Sequence, residues 1–500
     1  VKLRKIFSFL LLITAIQLSL KAQQVNTNYF MKDIPVRHYL NPSFQPVNDF
    51  YIGLPVIGFS QFGVGNNSLV LKDVIYKMHG ENISFLNPHG NVELFYNTLK
   101  SNTVIGACIQ TNLISVGFRR EKTYWTFSLS DKIDGMVCLP KDLFKFALFG
   151  TPDVESNLYD FAGLQADISV YAEAALGCSK MIYDKWSLGG KLKLLLGSAN
   201  FSNVNNQMDL YAGIDKWSIK GGGSLNFASP LPLRIGDNFS SFSYLAPVSV
   251  IDWLKPVGVG AGVDFGTEYH LNKHVRFSGS ITDLGFIHWA RNVYNYQYGI
   301  DFTFKGIKLS STSITTYKDI FNGVIPTVLV DSLTNALESS TSSNLSDKRY
   351  TTGTIAKLNL GIEYSLSDDR ISFGVLSRSQ FFKTARTGEI TASVNGRPNA
   401  WLNATLSYSV FNGRMSCFGA GLGVKTGFVH WFFAADYFPF QKATFALSDL
   451  GLSRLNRKVS VPYNSTSFNL SAGVNLVFSG VKAKGLHSKK PKQDCHCNWK

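Results

Sequence analysis

The chain has 500 residues, 17% of them charged and 13% aromatic, with a formal net charge of +15. A soluble domain carries about 25% charged residues, so the composition argues against one, and the lack of a long apolar run after the N-terminal stretch excludes helical membrane spans. The positive surplus does not point to nucleic acid: Lys2, Arg4, Lys5 and Lys21 open the chain, six lysines against Asp494 close it, and the rest is thinly spread.

Residues 1–22 read as a secretory signal. A basic start precedes an apolar stretch from Ile6 to Leu20, shorter than the roughly 20 residues a spanning helix needs, and Ala22 offers a cleavage point. An uncleaved anchor is the alternative. No Cys follows the cut, which argues against a lipid anchor. Residues 23–480 are expected to form the barrel described below, with 23–50 as a periplasmic or plug segment. Three stretches have partly helical spacing: residues 69–78, 92–99 and 140–149, the last opened by Pro140. They suit extracellular loops, surface helices or lumen plugs.

From residue 164 onward the dominant signal has period two, as a strand places successive side chains on opposite faces. Leu164, Ala166, Ile168, Val170, Ala172, Ala174 and Leu176 alternate with Gln165, Asp167, Ser169, Tyr171 and Glu173. The pattern recurs at 186–196, 217–227, 257–266, 275–281, 295–304, 356–366, 402–410 and 467–478. These runs reach about 10–15 residues, beyond the 5–6 of a globular strand and enough for the 9–11 of a tilted membrane strand. A soluble sandwich also alternates. Length and export favour an all-β, transmembrane, antiparallel up-and-down barrel of roughly 14 strands, closed because lipid cannot satisfy a sheet edge. Counted with all short turns on one side, the candidate strands lose parity between Leu309 and Thr352. Short turns are read at 270–274, at 367–370 and at Asn412-Gly413, which suits a type I′ hairpin. Long connections fall at about 229–256, 306–352 and 439–465.

The final strand resembles the signal read by the outer-membrane barrel assembly machinery, in Ser471, Gly473, Leu476 and Phe478. That signal usually ends a chain, whereas here a basic tail over 481–500, read as disordered, follows. The tail holds Cys495-His496-Cys497, ligand types suited to zinc or copper but without a second ligand pair, so no metal is assigned. Cys108, Cys138, Cys178 and Cys417 are isolated and form no disulfide framework.

Asn41-Pro42-Ser43-Phe44-Gln45-Pro46, with Phe50-Tyr51-Ile52-Gly53-Leu54-Pro55, forms the first of several short motifs. The others are Ser115-Val116-Gly117-Phe118-Arg119, Leu139-Pro140-Lys141-Asp142-Leu143-Phe144 and Gly189-Gly190-Lys191-Leu192-Lys193. In this order they resemble a Bacteroidota family of exported proteins known only as a domain of unknown function. The resemblance covers nearly all of the mature chain and implies an outer-membrane barrel, with no substrate or catalytic residue to carry over. A looser architectural likeness is to the long-chain fatty-acid transporter barrels.

Charged residues in the membrane zone must avoid lipid. Asp167, Glu173, Lys191, Lys193, Asp264, Glu268, Asp301, Lys357 and Glu363 are therefore the candidate lumen-facing residues, lining open water or a sealed polar core. His430 shares the parity of Phe432 and Ala434, and His288 lies in or beside a strand. Gly-x-Ser-x-Gly and His-Glu-x-x-His motifs are absent, and no nucleophile–base pair stands out, so the chain reads as non-enzymatic and without a cofactor. The expected function is a channel or transporter for small molecules. The alternative is a structural or assembly component of an envelope complex. Expected partners are outer-membrane lipid, the assembly machinery and envelope proteins.

Overall fold

The computed structural model describes residues 26–78, 81–85, 89–150, 157–183, 185–213, 216–231, 233–235, 242–244, 255–304, 341–366, 369–381, 386–411, 414–438, 442–446, 458–462 and 467–479. The expected signal, the tail with its Cys-His-Cys motif, Asn412-Gly413 and most of the long connections lie outside these residues.

The wall is a closed antiparallel cylinder of fourteen strand positions. In chain order the first five are β1 (Phe50–Gly53 and Ser60–Asn66), β2 (Asn102–Arg120), β3 (Thr123–Pro140), β4 (Gln165–Ile182) and β5 (Trp186–Ala212). Three composite positions follow: β6 (Trp217–Ala228 and Gly258–His270), β7 (Val275–Trp289 and Val293–Phe304) and β8 (Thr341–Ser346, Tyr350–Gly353 and Ala356–Leu366). The last six are β9 (Ile371–Phe381), β10 (Arg386–Asn399), β11 (Leu402–Phe411), β12 (Arg414–Thr426), β13 (Val429–Phe438) and β14 (Ser467–Phe478). β14 closes the ring on β1, with Phe50 opposite Phe478 and Val64 opposite Phe468.

The composite positions explain the parity conflict. Ala228 pairs with Asn200 of β5, and Gly258 pairs with Gly197 of the same strand. Residues 217–228 and 258–270 are thus the two halves of one wall position, and the chain leaves mid-wall between them. On β7 both halves run on in the same direction, Trp289 pairing with Gly258 and Val293 with Ala228. Two runs that count as four strands in the sequence occupy two places in the wall.

One face of each strand is apolar and exposed. On β5, Leu188, Leu192 and Leu194 point out, while Ser187, Lys191, Lys193 and Leu195 are buried. On β8, Lys357, Asn359, Gly361 and Glu363 point in, and Leu358, Leu360 and Ile362 lie on the other face. Exposed Phe118, Trp125, Trp186, Tyr269, Tyr364 and Trp431 gather near one rim. An apolar band with an aromatic girdle is a lipid-facing surface, and the chain is an outer-membrane β-barrel.

That rim carries Phe50, Phe478 and the short links β2–β3, β4–β5, β6–β7, β8–β9, β10–β11 and β12–β13, the last turning at Gly427 with φ +62°. The link between β11 and β12, where Asn412-Gly413 falls, is at the opposite rim with the long connections. It is therefore not on the same side as the other two short turns read in the sequence. The long-connection rim also carries α1 (Leu71–Val74), α2 (Val92–Thr98) and α3 (Lys141–Phe149). Asn91 caps α2 by accepting from Leu94 N at 2.8 Å. The stretch at 69–78 is helical only over α1, then pairs as Ile75–Met78 with Glu81–Ser84.

Candidate functional site

The interior is stacked in three layers. Nearest the short-turn rim, residues 26–49 fold into the lumen. Two 3-10 turns, Thr27–Phe30 and Pro35–Tyr39, give this segment its compactness, and Pro35 starts the second with its fixed φ. Tyr29, Phe30, Leu40 and Phe44 pack with Leu376 of β9, and Met31, Ile34 and Val36 pack with Phe59 and Phe432. Glycines on the inner wall make the space. A Cβ at Gly374 would lie 2.5 Å from Phe30, and one at Gly361 would lie 2.8 Å from Tyr29.

Polar contacts run right round the wall. Asn28 donates to Ser471 Oγ at 2.6 Å, Thr27 Oγ1 lies 2.8 Å from Ser407 Oγ, and the backbone N–H groups of Asn26 and Thr27 point at Asp436. Asn112 donates to Tyr39 Oη at 2.7 Å, and Ser280 and Asn359 both donate to Leu40 O. Ion pairs latch the segment at the rim: Lys32 to Glu363 at 3.0 Å and to Asp369 at 3.2 Å, and Arg397 to both oxygens of Asp33 at 3.0 Å. Burial opposes ionisation of Asp369, but Lys32 and Arg276 outweigh it and hold this turn carboxyl below its ordinary range.

Three of the sequence motifs meet here. Ser187 Oγ donates to Ser43 O at 2.7 Å, and Pro42 lies against Gly189. Arg119 donates to Gln45 Oε1 at 2.7 Å and to Pro46 O at 2.5 Å. Residues scattered over 150 positions of sequence are one docking surface.

Above the plug, on the side formed by β3 to β8, the wall supplies its own charges. Asp283 accepts from Lys132 at 2.9 Å, Lys193 at 2.6 Å and Lys357 at 2.7 Å. Lys132 also pairs with Glu173 at 2.8 Å, and Lys193 with Asp264 at 2.8 Å. Asp283 reaches this point because β7 bulges: its φ is +59°, the register shifts there, and its N–H donates to Asp264. Lys191 lies 4.4 Å over the Tyr39 ring and joins the two layers.

The candidate lumen residues therefore divide. Glu173, Lys193, Asp264 and Lys357 share the ionic layer, Lys191 and Glu363 touch the plug, and Asp167 lines a cavity. Glu268 is half-buried beside His270. Asp301 is 72% exposed, paired with Lys220 near the long-connection rim. Of the final-strand residues, Ser471 and Gly473 face in, whereas Leu476 and Phe478 face out. His430 faces in and is buried; His288 is exposed and lies 3.0 Å from Thr351 Oγ1. Sequence reading missed Lys132, Asp283 and the fully buried Arg378, which donates to Asn359 at 2.6 Å. Lys132 had a signal: Thr126, Ser128, Ser130, Lys132 and Asp134 alternate with Trp125, Phe127, Leu129 and Ile133. Asp131 sits on the apolar face and blurs it. Asp283 had none, because a bulge resets parity.

The third layer is a cavity of about 260 Å³, lined by residues of β3, β4, β7, β8 and β9. Every lining residue lies on the long-connection side of the ionic layer along its own strand. Among the described residues no group of three or more His, Cys, Asp or Glu is placed to hold a metal ion.

Solved barrels resemble the chain over most of its length. The toluene transporter TodX of P. putida has 10% identity and TM-score 0.37, covering 88% of this chain and 93% of its own. The toluene transporter TbuX of Ralstonia pickettii has 9% identity and TM-score 0.40, covering 89% and 94%. A Pseudomonas aeruginosa FadL homologue has 11% identity and TM-score 0.39, covering 92% and 99%. No curated protein matches. The model of the family of unknown function DUF5723 matches residues 42–436, a span from the plug's docking motif to the Asp436 that holds its start, and the chain belongs to that family.

Proposed function

We propose that the protein is a plugged outer-membrane channel for small molecules, opened when residues 26–49 leave the lumen. The observation that carries this reading is that a separate stretch of chain, which enters the wall at Phe50, occupies the space inside. About eight strands close on their own side chains; fourteen leave room, and here that room is taken by a segment held largely by hydroxyl and amide contacts. Such bonds are worth about 1 kcal/mol each, because water replaces them. The protein is non-enzymatic in this reading.

Planar-bilayer recordings test it. The intact protein should be closed for most of the record, and a variant lacking residues 26–48 should conduct in steps. A deletion variant that folds, by heat-modifiable migration, and stays silent overturns the reading. If the deletion prevents folding, a Ser43→Cys/Ser187→Cys pair tests it instead: the reduced protein should show the brief openings of the intact one, and oxidation should abolish them; openings that persist in the oxidised protein overturn the reading.

Export by the segment 1–22 and delivery by the barrel assembly machinery belong to the same reading. Leu476 and Phe478 face outward, where a receptor meets them before lipid does. A second reading, a component of an envelope complex, draws on the exposed apolar side chains Leu94, Phe149 and Leu158 at the long-connection rim. Stoichiometric partners retained after mild detergent extraction favour it.

A further inference from the structure

We propose that the outer faces of β2 and β3 pair the protein with a second copy of itself inside the membrane, Asp131 of each copy accepting a hydrogen bond from Thr111 of the other. Asp131 lies on the wrong face for a carboxylate. Trp125, Phe127, Leu129, Asp131 and Ile133 share the outward side of β3, and Asp131 is exposed there. It stands six residues beyond Trp125 of the rim girdle, about 15 Å up a lipid-facing band about 25 Å tall. Ile133, 38% exposed, continues the apolar face above it. A charged side chain in this zone ordinarily faces the lumen or a partner. Its neighbours do not relieve it. Thr111 of β2 and Ala172 of β4 are its cross-strand partners. Among the described residues, none donates to the Asp131 carboxylate, and none is charged and close enough to act on it. Thr111 is outward too, on the face of exposed Ile109, and its hydroxyl has no partner among the described residues.

The pair is self-complementary. An acceptor and a donor stand opposite each other on adjacent strands, about 5 Å apart between Cβ atoms. A two-fold axis along the membrane normal, passing between β2 and β3, sets Asp131 of each copy against Thr111 of the other. Two equivalent O–H···O bonds then form together, the pattern of an isologous contact. The complementarity is internal to the patch, and that commits the partner to a second copy. The surrounding wall is low enough for close approach. Ala172 and Ala174 lie outward on β4, and Ala107 faces Gly135 across β2 and β3, four residues farther up. Small side chains let backbones come together in lipid, and polar side chains hold them there.

The inference goes beyond the channel reading and does not depend on it. The full-length protein, carrying a donor or an acceptor fluorophore on a C-terminal tag, is reconstituted into vesicles of phosphatidylethanolamine and phosphatidylglycerol and diluted with lipid. Energy transfer reports the pairs. Asp131→Leu and Thr111→Val each remove both bonds. Each should weaken association at least about tenfold, the scale of one charge-assisted hydrogen bond, and the double variant should be no weaker than either. Val375→Ala, on the lipid face of β9 across the barrel, should change nothing. The decisive arm mixes donor-labelled Asp131→Leu with acceptor-labelled Thr111→Val. One Asp–Thr bond can form between the two variants and none within either, so the mixture should associate more tightly than either alone. Both substitutions turn apolar groups toward lipid, and heat-modifiable migration checks that each protein is folded. A wild type that stays monomeric, association unchanged by both substitutions, or a mixture no tighter than its parts overturns the proposal. If one variant fails to fold, the other must still weaken association by that factor; unchanged association overturns the proposal. So does a different protein that copurifies in place of the second copy and is released by Asp131→Leu.

Discussion

The two lower layers of the lumen close the same cylinder by opposite means. The plug layer comes from a segment outside the wall and is held chiefly by neutral hydroxyls and amides, with aromatic packing. The ionic layer grows from the wall itself, and its lysines and carboxylates tie β3, β4, β5, β6, β7 and β8 together. A neutral, water-replaceable contact is cheap to undo. A buried charge cluster is costly to break from one side, because the remaining charges lose their partners. On the proposed channel reading, this difference puts the part that moves and the part that stays in separate layers.

The sharpest way to break this comparison is Asp283→Ala. It removes the carboxylate that Lys357 pairs with and one of the partners of Lys132 and Lys193, and we expect a loss of about 3–5 kcal/mol, as for one partner of a buried pair. Urea titration of the heat-modifiable form reads it, and a loss under 1 kcal/mol would show that the ionic layer is not structural. Next is Gly374→Val, which pushes Phe30 off β9. Overpacking costs about 1–3 kcal/mol, and the loss should appear as faster amide exchange at Tyr29 and Phe30 with the wall strands still protected. Exchange that rises equally in the wall would mean that plug and wall are one unit.

Acid should loosen the plug before the wall. Asp369 is held below its ordinary range by Lys32 and Arg276. A depressed folded-state value means that its contribution is full above the unfolded value of about 4 and is lost as pH falls through the folded one. Conductance that rises below about pH 4, and that Asp369→Asn removes by raising the neutral-pH baseline, is the expected record. A pH-independent baseline in both proteins sinks the latch. The smallest effect belongs to Lys220→Ala. Its pair with Asp301 is exposed on both sides, and surface pairs contribute about 0–1 kcal/mol. A larger shift in the urea midpoint would place Asp301 in a role the structure does not give it.

Much of the wall was legible because lipid imposes one rule on every strand. Alternation gave β8 and β14 their faces from composition alone, and it put Glu173, Lys193, Asp264 and Lys357 on the inner side, where they meet. It failed where the backbone departs from period two: at the Asp283 bulge, and at the mid-wall break that made β6 read as two strands. The plug was legible only as a stretch before the first strand. Its docking surface is gathered from strands along the whole wall, from Asn112 of β2 to Ser471 of β14, and no local pattern encodes that. Asn359 shows the limit. Its inward parity suggests a tolerant site, yet it is fully buried between Leu40, Ser280 and Arg378. An arginine there meets no water, so the inner face is not uniformly more permissive than the lipid face, where Leu360→Arg costs about 2–4 kcal/mol.

The plug also sets an order in time. Asn28 bonds to Ser471, 443 positions later in the chain, and Thr27 bonds to Asp436, 409 positions later. Contacts of such separation reward the chain only after the loop between them has closed. The residues that precede every wall strand thus have no finished seat until β13 and β14 are in place. They are made before the cylinder and docked after it, so a barrel caught part-way through assembly is an open one.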